Sequence, residues 1–157
     1  MLRRAAPGDL MDLHAVLSDP ETLRYWSSPA HTSVDETRDW LASMMDSPPD
    51  RSEDFVIEHQ GVVVGKVGFF RLPEIGFVLR RDLWGRGLMR EAASAVIAHV
   101  RRVHPEMDAL RADVDPRNAA SLGLLARLGF VETSRAARTW RVDGEWCDSV
   151  YLALRLV

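Results

Sequence analysis

One cysteine, Cys147, stands in 157 residues. No intrachain disulfide can form, and no cysteine-rich zinc site can be assembled. His14, His31, His59, His99 and His104 are scattered without the spacing of metal ligands. No apolar run approaches the ~18 residues that would span a bilayer. The basic start, Met1-Leu2-Arg3-Arg4, leads into no apolar stretch of signal-peptide length. A positive excess is missing too: 20 Lys and Arg face 23 Asp and Glu, a formal net charge of −3. That balance excludes the electrostatic footprint of a typical nucleic-acid binder. A hydrophobic share of 46% and a charged share of 27% are ordinary for a globular protein and exclude disorder. Repeats and low-complexity tracts are absent, and Ser47-Pro48-Pro49-Asp50-Arg51-Ser52 reads as a loop rather than a linker. The expectation is one soluble, cytoplasmic domain over residues 1–157, with no metal and neither membrane nor nucleic-acid partner.

Apolar residues recur at helical spacing over Gly8 to Leu17 and Val34 to Met45, the second opened by a Ser33/Glu36 capping box. The period then changes. Phe55 to Glu58 and Val62 to Phe70 are rich in β-branched and aromatic residues and flank a Gln60-Gly61 turn. Leu72-Pro73 breaks the run, and Glu74 to Leu79 restarts as a strand. Residues 85–103 carry a helical apolar face ending in Arg101 and Arg102, where cations suit the helix dipole. Ala109 to Val114 alternates as a strand. Asp115-Pro116 opens a helix as N-cap and first-turn proline, and Gly129 stops it. Val131 to Val142 and Glu145 to Val157 form a hairpin about Asp143-Gly144. The order predicts an α+β domain, a mixed sheet with flanking helices.

Chemistry concentrates at Arg80-Arg81-Asp82-Leu83-Trp84-Gly85-Arg86-Gly87-Leu88-Met89-Arg90, where a strand hands over to a helix. Glycines let backbone approach a ligand, and free N–H groups at a helix start favour phosphate. A P-loop needs Gly-x-x-x-x-Gly-Lys-Ser/Thr, which does not occur; the dinucleotide fingerprint fails because its third glycine position is Arg90. A solvated turn with surface arginines remains the plain alternative.

Gly85-Arg86-Gly87 resembles the end of the Gln/Arg-x-x-Gly-x-Gly/Ala acetyl-CoA loop of the GNAT N-acetyltransferase superfamily. The string from Glu74 to Ala92 looks like the RimJ/RimL-type branch. So do Asp115-Pro116-Arg117-Asn118-Ala119-Ala120-Ser121, with its Asn-x-x-Ser, and Leu128-Gly129-Phe130. Asp19-Pro20-Glu21, Tyr25-Trp26, Trp40-Leu41, Asp148 and Tyr151 extend the likeness over nearly the whole chain. The chain departs from the pattern at Asp82, where the loop has Gln or Arg; Arg80, Arg81, Arg86 or Arg90 would then supply the charge.

The resemblance implies a GNAT-like fold: a central, mostly antiparallel twisted sheet holding acetyl-CoA at a splayed strand pair. It implies transfer of the acetyl group to a primary amine, a protein N-terminus or a small molecule, by direct attack in a ternary complex. A CoA-binding regulatory or interaction module without catalysis is the alternative reading. Phe77, Val78 and Leu79 would pair with the pantetheine amides and supply an oxyanion donor. Arg80, Arg81, Gly85, Arg86, Gly87, Leu88, Met89 and Arg90 would hold the pyrophosphate, and Asn118 and Ser121 the pantetheine chain. An amine must be neutral to attack, although an α-amino group titrates near ~8 and lysine near ~10.4. Glu74 is the base candidate. Ser121 and Tyr151 are the candidates for protonating the leaving thiolate, and Asn118 and Ser121 also have ordinary helical readings. Tyr25, Trp26 and His31 fall in the segment that caps the acceptor site. Dimers are common among relatives, so a homodimer is open. Cys147 reads as a packed thiol.

Overall fold

The computed structural model describes all residues, 1–157. A short edge strand β1 (Leu2–Arg3) and a 3-10 turn at Pro7–Asp9 precede α1 (Leu10–Leu17) and α2 (Val34–Asp46). Three strands follow, β2 (Glu53–His59), β3 (Val62–Arg71) and β4 (Glu74–Leu79), then a 3-10 turn at Arg81–Leu83 and α3 (Leu88–Val103). β5 (Ala109–Val114), α4 (Ala119–Arg127), β6 (Val131–Val142) and β7 (Glu145–Arg155) complete the chain. The seven strands form one sheet in the order β1-β2-β3-β4-β5-β7-β6. All neighbours are antiparallel except β4 and β5, the mixed sheet expected from the element order.

Alternation within the strands gives the sheet two apolar faces. Val56, Val63 and Val78 pack with Leu13, Val16 and Leu17 of α1 and Leu41 and Met44 of α2. Val64, Val67, Phe69, Ile75 and Leu79 face the other way, onto Ala93, Val96, Ile97 and Val100 of α3. Leu110, Ala112, Val114, Val150, Leu152 and Leu154 extend that second layer across β5 and β7. Two glycines in β3 mark close backbone approach. A Cβ on Gly65 would meet the Val78 carbonyl oxygen at 2.2 Å, and one on Gly68 the Glu53 oxygen at 2.3 Å.

Three element starts differ from expectation. The first helix begins at Leu10, because Pro7 opens a 3-10 turn whose Asp9 carboxylate takes two hydrogen bonds from Arg3. The helix expected from residue 85 begins at Leu88, because Gly87 adopts a left-handed φ of 78° that a helix cannot continue. Asn118, rather than Asp115, caps α4: its Oδ1 accepts from Ser121 N at 3.1 Å. Asp115 closes its own turn instead, accepting from Arg117 N at 2.9 Å. At α2 half of the capping box forms. Ser33 Oγ accepts from Glu36 N, while the Glu36 carboxylate reaches past Ser33 to Thr32 N at 2.6 Å.

β4 and β5 share a single register pair, Glu74 with Arg111, and a bond from Arg111 N to Pro73 O of 2.9 Å. Beyond that point the strands part. This is the gap around which the site is built.

Candidate active site

Arg80 N donates to Val64 O at 2.7 Å, which sets the phase of the β3–β4 ladder. Alternation then turns the backbone groups of Phe77 and Leu79 toward the gap beside β5. Trp84 Nε1 donates to Leu79 O at 2.7 Å and ties the following loop to the strand end. The amides of residues 85–90 donate to no backbone carbonyl, and the first closed turn is Glu91 N to Gly87 O at 3.1 Å. A run of free amides at the start of α3, with the helix dipole behind it, is an anion cradle.

Two cavities meet where the strands part. The first, about 910 Å³, is lined by Phe77, Val78 and Leu79, by Gly85, Gly87, Leu88, Met89 and Arg90, and by Asn118 and Ser121. Asn118 spends its oxygen on the helix cap, so its Nδ2 is the donor left for a ligand. Arg80, Arg81 and Arg86 do not line this cavity. Arg80 forks onto Asp82 at 2.6 and 3.1 Å, and Arg81 lies 3.4 Å from Asp19. The Asp82 carboxyl is thereby held below the usual carboxylate range, and its charge is neutralised locally rather than presented to a phosphate. Arg90 and Arg127 from α4, with Arg24 and Arg117, supply the positive charge of the wall.

The second cavity, about 990 Å³, opens on the sheet face covered by α1 and α2 and shares Tyr25, Trp26, Gly76, Asp113, Asp115 and Arg117 with the first. Glu74 lines it. Desolvation by the walls raises its pKa above the ordinary glutamate value, the nearby Asp113 charge raises it further, and Arg71 opposes both. A carboxylate shifted in that direction is a better proton acceptor near neutral pH.

Arg117 braces the junction. It donates to Asp115 at 2.7 and 3.0 Å and to Glu145 at 3.1 Å, and its guanidinium lies 5.5 Å from the Tyr25 ring centroid. Its pKa is raised by these acids, and the Asp115 carboxyl is lowered in turn by Arg117. Deeper in the cavity, Lys66 Nζ lies 2.9 Å from Asp54 Oδ1 and 3.0 Å from Oδ2, with both side chains buried. The hydrogen bond is directed at Oδ2; Oδ1 is held by charge alone.

Of the residues expected at the acceptor site, Tyr25 and Trp26 line both cavities. His31 lines neither. Its Nδ1 lies 2.8 Å from Thr37 Oγ1, and burial pushes its pKa down. Tyr151 also lines neither cavity and stands across from Asp113 in the β5–β7 register. Ser121 lies in the wall of the first cavity and Glu74 in that of the second. Asp113, Trp140, Arg117 and the Lys66–Asp54 pair are additions that sequence reasoning missed. A single lysine inside the run Val62 to Phe70 was the signal for the buried pair.

Residues 1–131 match the family model of the acetyltransferase (GNAT) domain. The chain belongs to the GNAT family. Within it the chain is similar to enzymes of the RimJ/RimL type. It is 34% identical over 106 residues to the [ribosomal protein uS5]-alanine N-acetyltransferase of Escherichia coli K12, covering 68% of this chain and 53% of that one. This GNAT chain thus spans about half the length of that curated relative. Its fold matches that of RimL, a ribosomal L7/L12 alpha-N-protein acetyltransferase solved with coenzyme A, with a TM-score of 0.87 at 22% identity, covering 98% and 92% of the two chains. The spermidine N-acetyltransferase of Vibrio cholerae, solved with CoA and spermine, gives 0.83 at 18% identity over 99% and 95%. No helix is long and apolar enough to cross a membrane, and no group of His, Cys, Asp or Glu side chains is arranged to hold a metal ion.

Proposed function

We propose that the 157 residues act as one N-acetyltransferase domain that moves an acetyl group from acetyl-CoA to a primary amine. The observation that carries this reading is the parting of β4 from β5 beside the free amides of residues 85–90. A gap lined by unpaired strand amides fits a chain bearing amides, and a cradle of N–H groups at a helix start fits a pyrophosphate. Family membership and the CoA found in solved relatives support the same cofactor.

Acetyl-CoA, once bound, supplies the thioester carbonyl. The chain's own residues do the rest. Phe77 and Leu79 present backbone groups to the pantetheine chain, and Asn118 Nδ2 donates to it. A β4 amide at the gap is the oxyanion donor, placed in advance and in little water. Gly85, Gly87, Leu88, Met89 and Arg90 receive the pyrophosphate. Glu74 withdraws a proton from the amine, directly or through water. Ser121 is the nearer of the two candidates to protonate the leaving thiolate, since it lines the cofactor cavity and Tyr151 does not. Tyr25 and Trp26 form the roof under which the acceptor enters.

The acceptor is a protein N-terminal amine or a small-molecule amine, as the names of the relatives suggest. The test is thermal unfolding with acetyl-CoA, CoA, ATP and NAD, followed by release of CoA thiol with an amine panel. Ligand at about 100 times its dissociation constant adds ~2.7 kcal/mol, roughly 5–11 °C at 2–4 °C per kcal/mol. A shift with acetyl-CoA and CoA alone is expected; no shift with either overturns the reading.

A further inference from the structure

Strand alternation brings a second carboxylate to the face that carries Glu74. Glu74 pairs with Arg111 across the β4–β5 gap, and Asp113, two residues further along β5, lies on the same face. Glu74 belongs to the second cavity only, whereas Asp113 lines both. Asp113 therefore stands between the cofactor cavity and the proposed base.

All but one of the other acids of this cavity are engaged elsewhere; the exception, Asp143, is exposed at the tip of the β6–β7 hairpin. Asp54 is paired with Lys66, Asp115 and Glu145 with Arg117, and Asp148 Oδ1 accepts from Arg138 N at 2.9 Å. Asp113 receives one side-chain donor, Trp140 Nε1 at 2.9 Å from the β6–β7 hairpin, on Oδ2. Its Oδ1 accepts from no side chain. A half-buried carboxylate oriented by an indole, with one oxygen to spare where two cavities join, suits an ammonium group.

We infer that Asp113 is a second catalytic carboxylate, which holds the acceptor ammonium at the junction of the cavities while Glu74 takes its proton; the inference rests on the acetyl-transfer reading above. One proton passes from the ammonium to Glu74. The freed lone pair forms the C–N bond as the thioester C–S bond breaks, and the second amine proton leaves with the sulfur as thiol. Trp140 is a positioning residue, since it acts through Asp113.

The groups facing Glu74 and Asp113 fix the sign of the pH dependence. Arg71 of β3 faces Glu74 and lowers its pKa, while Asp113 raises it. Arg111 lies opposite Glu74 in register and Tyr151 of β7 opposite Asp113. Arg24 from the segment before α2, the Arg117–Asp115 pair, the Lys66–Asp54 pair of β3 and β2, and Asp143, Glu145 and Asp148 of the β6–β7 hairpin line the same cavity. Removing the Asp113 charge therefore moves the Glu74 titration to lower pH.

The experiment compares wild type, Asp113→Asn and Trp140→Phe, with an N-terminal alanyl peptide and spermidine as acceptors and CoA thiol release as readout. Asp113→Asn is expected to lower kcat/KM for the acceptor roughly 10- to 100-fold, the range for losing a hydrogen bond to a charged group. Affinity for acetyl-CoA should stay within about twofold, which also reports a folded variant. The acid limb of the pH profile should move to lower pH. Trp140→Phe should shift acceptor KM in the same direction by less. An acceptor kcat/KM within about twofold of wild type, or an unmoved acid limb, overturns the assignment. Carboxyl 13C titration of Glu74 decides without an acceptor: an unchanged midpoint in Asp113→Asn overturns it as well. Failure of the wild type to bind acetyl-CoA instead overturns the acetyl-transfer reading, and this assignment with it.

Discussion

Replacing Asn118 by aspartate separates two jobs done by one side chain. Its Oδ1 caps α4 through Ser121 N at 3.1 Å, and the residue lines the first cavity with its Nδ2 in no hydrogen bond. Aspartate keeps the capping oxygen, ranks with asparagine as an N-cap, and adds about 0.3–1 kcal/mol of favourable charge at the helix start. Alanine loses the cap, at a cost of about 1 kcal/mol, or ~2–4 °C in Tm for a chain of this size. Both variants lose the amide donor. A neutral hydrogen bond contributes about 0.5–1.5 kcal/mol net, which is a roughly 2- to 12-fold loss of affinity. In Asn118→Asp a carboxylate then faces the ligand oxygen, so its loss should exceed about tenfold. The expected pattern is a stable Asn118→Asp that binds acetyl-CoA poorly and an Asn118→Ala that is weakened in both respects. Calorimetric titration with acetyl-CoA and thermal unfolding of the free proteins read the two effects separately. Wild-type affinity in Asn118→Asp refutes the donor role; a Tm as low as that of Asn118→Ala refutes the capping assignment.

Glu74→Gln should cut turnover with little effect on acetyl-CoA affinity. Because Glu74 is raised in the folded protein, native Glu74 holds its proton to higher pH than the unfolded chain does. Stability is therefore lost as pH rises from the ordinary glutamate value through the raised one. Glu74→Gln should melt above wild type at pH 7.5, with the gain vanishing below the ordinary value; an equal or lower Tm at pH 7.5 contradicts this. Gly87→Asp places an acid beside the anion cradle at a left-handed φ of 78°, with open space around the new Cβ. It should abolish acetyl-CoA binding while the fold survives a strain of about 1 kcal/mol; retained affinity in an isothermal titration speaks against the cradle. Lys66→Ala leaves Asp54 buried without its partner and should cost about 3–5 kcal/mol in urea unfolding. The double variant Lys66→Met with Asp54→Leu should recover most of that, and no recovery would mean that packing rather than charge was lost.

Helices α2 and α3 and the strands from β3 onward were legible because their period and punctuation agree: Ser33 before α2, Gln60-Gly61 and Asp143-Gly144 at hairpin turns. β1 was not, since two residues cannot carry a period and its pairing with Val56 and Ile57 is long-range. The cap of α4 was ambiguous among Asx residues three apart. Asp115 is the better match to a proline-led start, yet Arg117 draws its carboxylate into a turn and leaves the cap to Asn118. The glycine loop and the Asn118/Ser121 pair, singled out through the family resemblance, line one cavity. Which arginines serve it could not be read, because Arg81 is engaged by Asp19, far away in sequence, and Arg80 by its near neighbour Asp82. Asp113 escaped notice for a related reason: its significance lies in the β4–β5 register, and register between parallel strands leaves no local mark in a sequence.

The single rung between β4 and β5 leaves the sheet in two panels, β1 to β4 and β5 with β7 and β6. Chiefly the apolar layer beneath α3 holds the panels to one another. Unliganded, the amides of Phe77 and Leu79 belong to the readily opened part of the molecule, and hydrogen–deuterium exchange should find them fast. A cofactor seated in the gap becomes a structural strut whose occupancy follows mass action. On the acetyl-transfer reading, resistance of the protein to proteases should then rise with acetyl-CoA concentration.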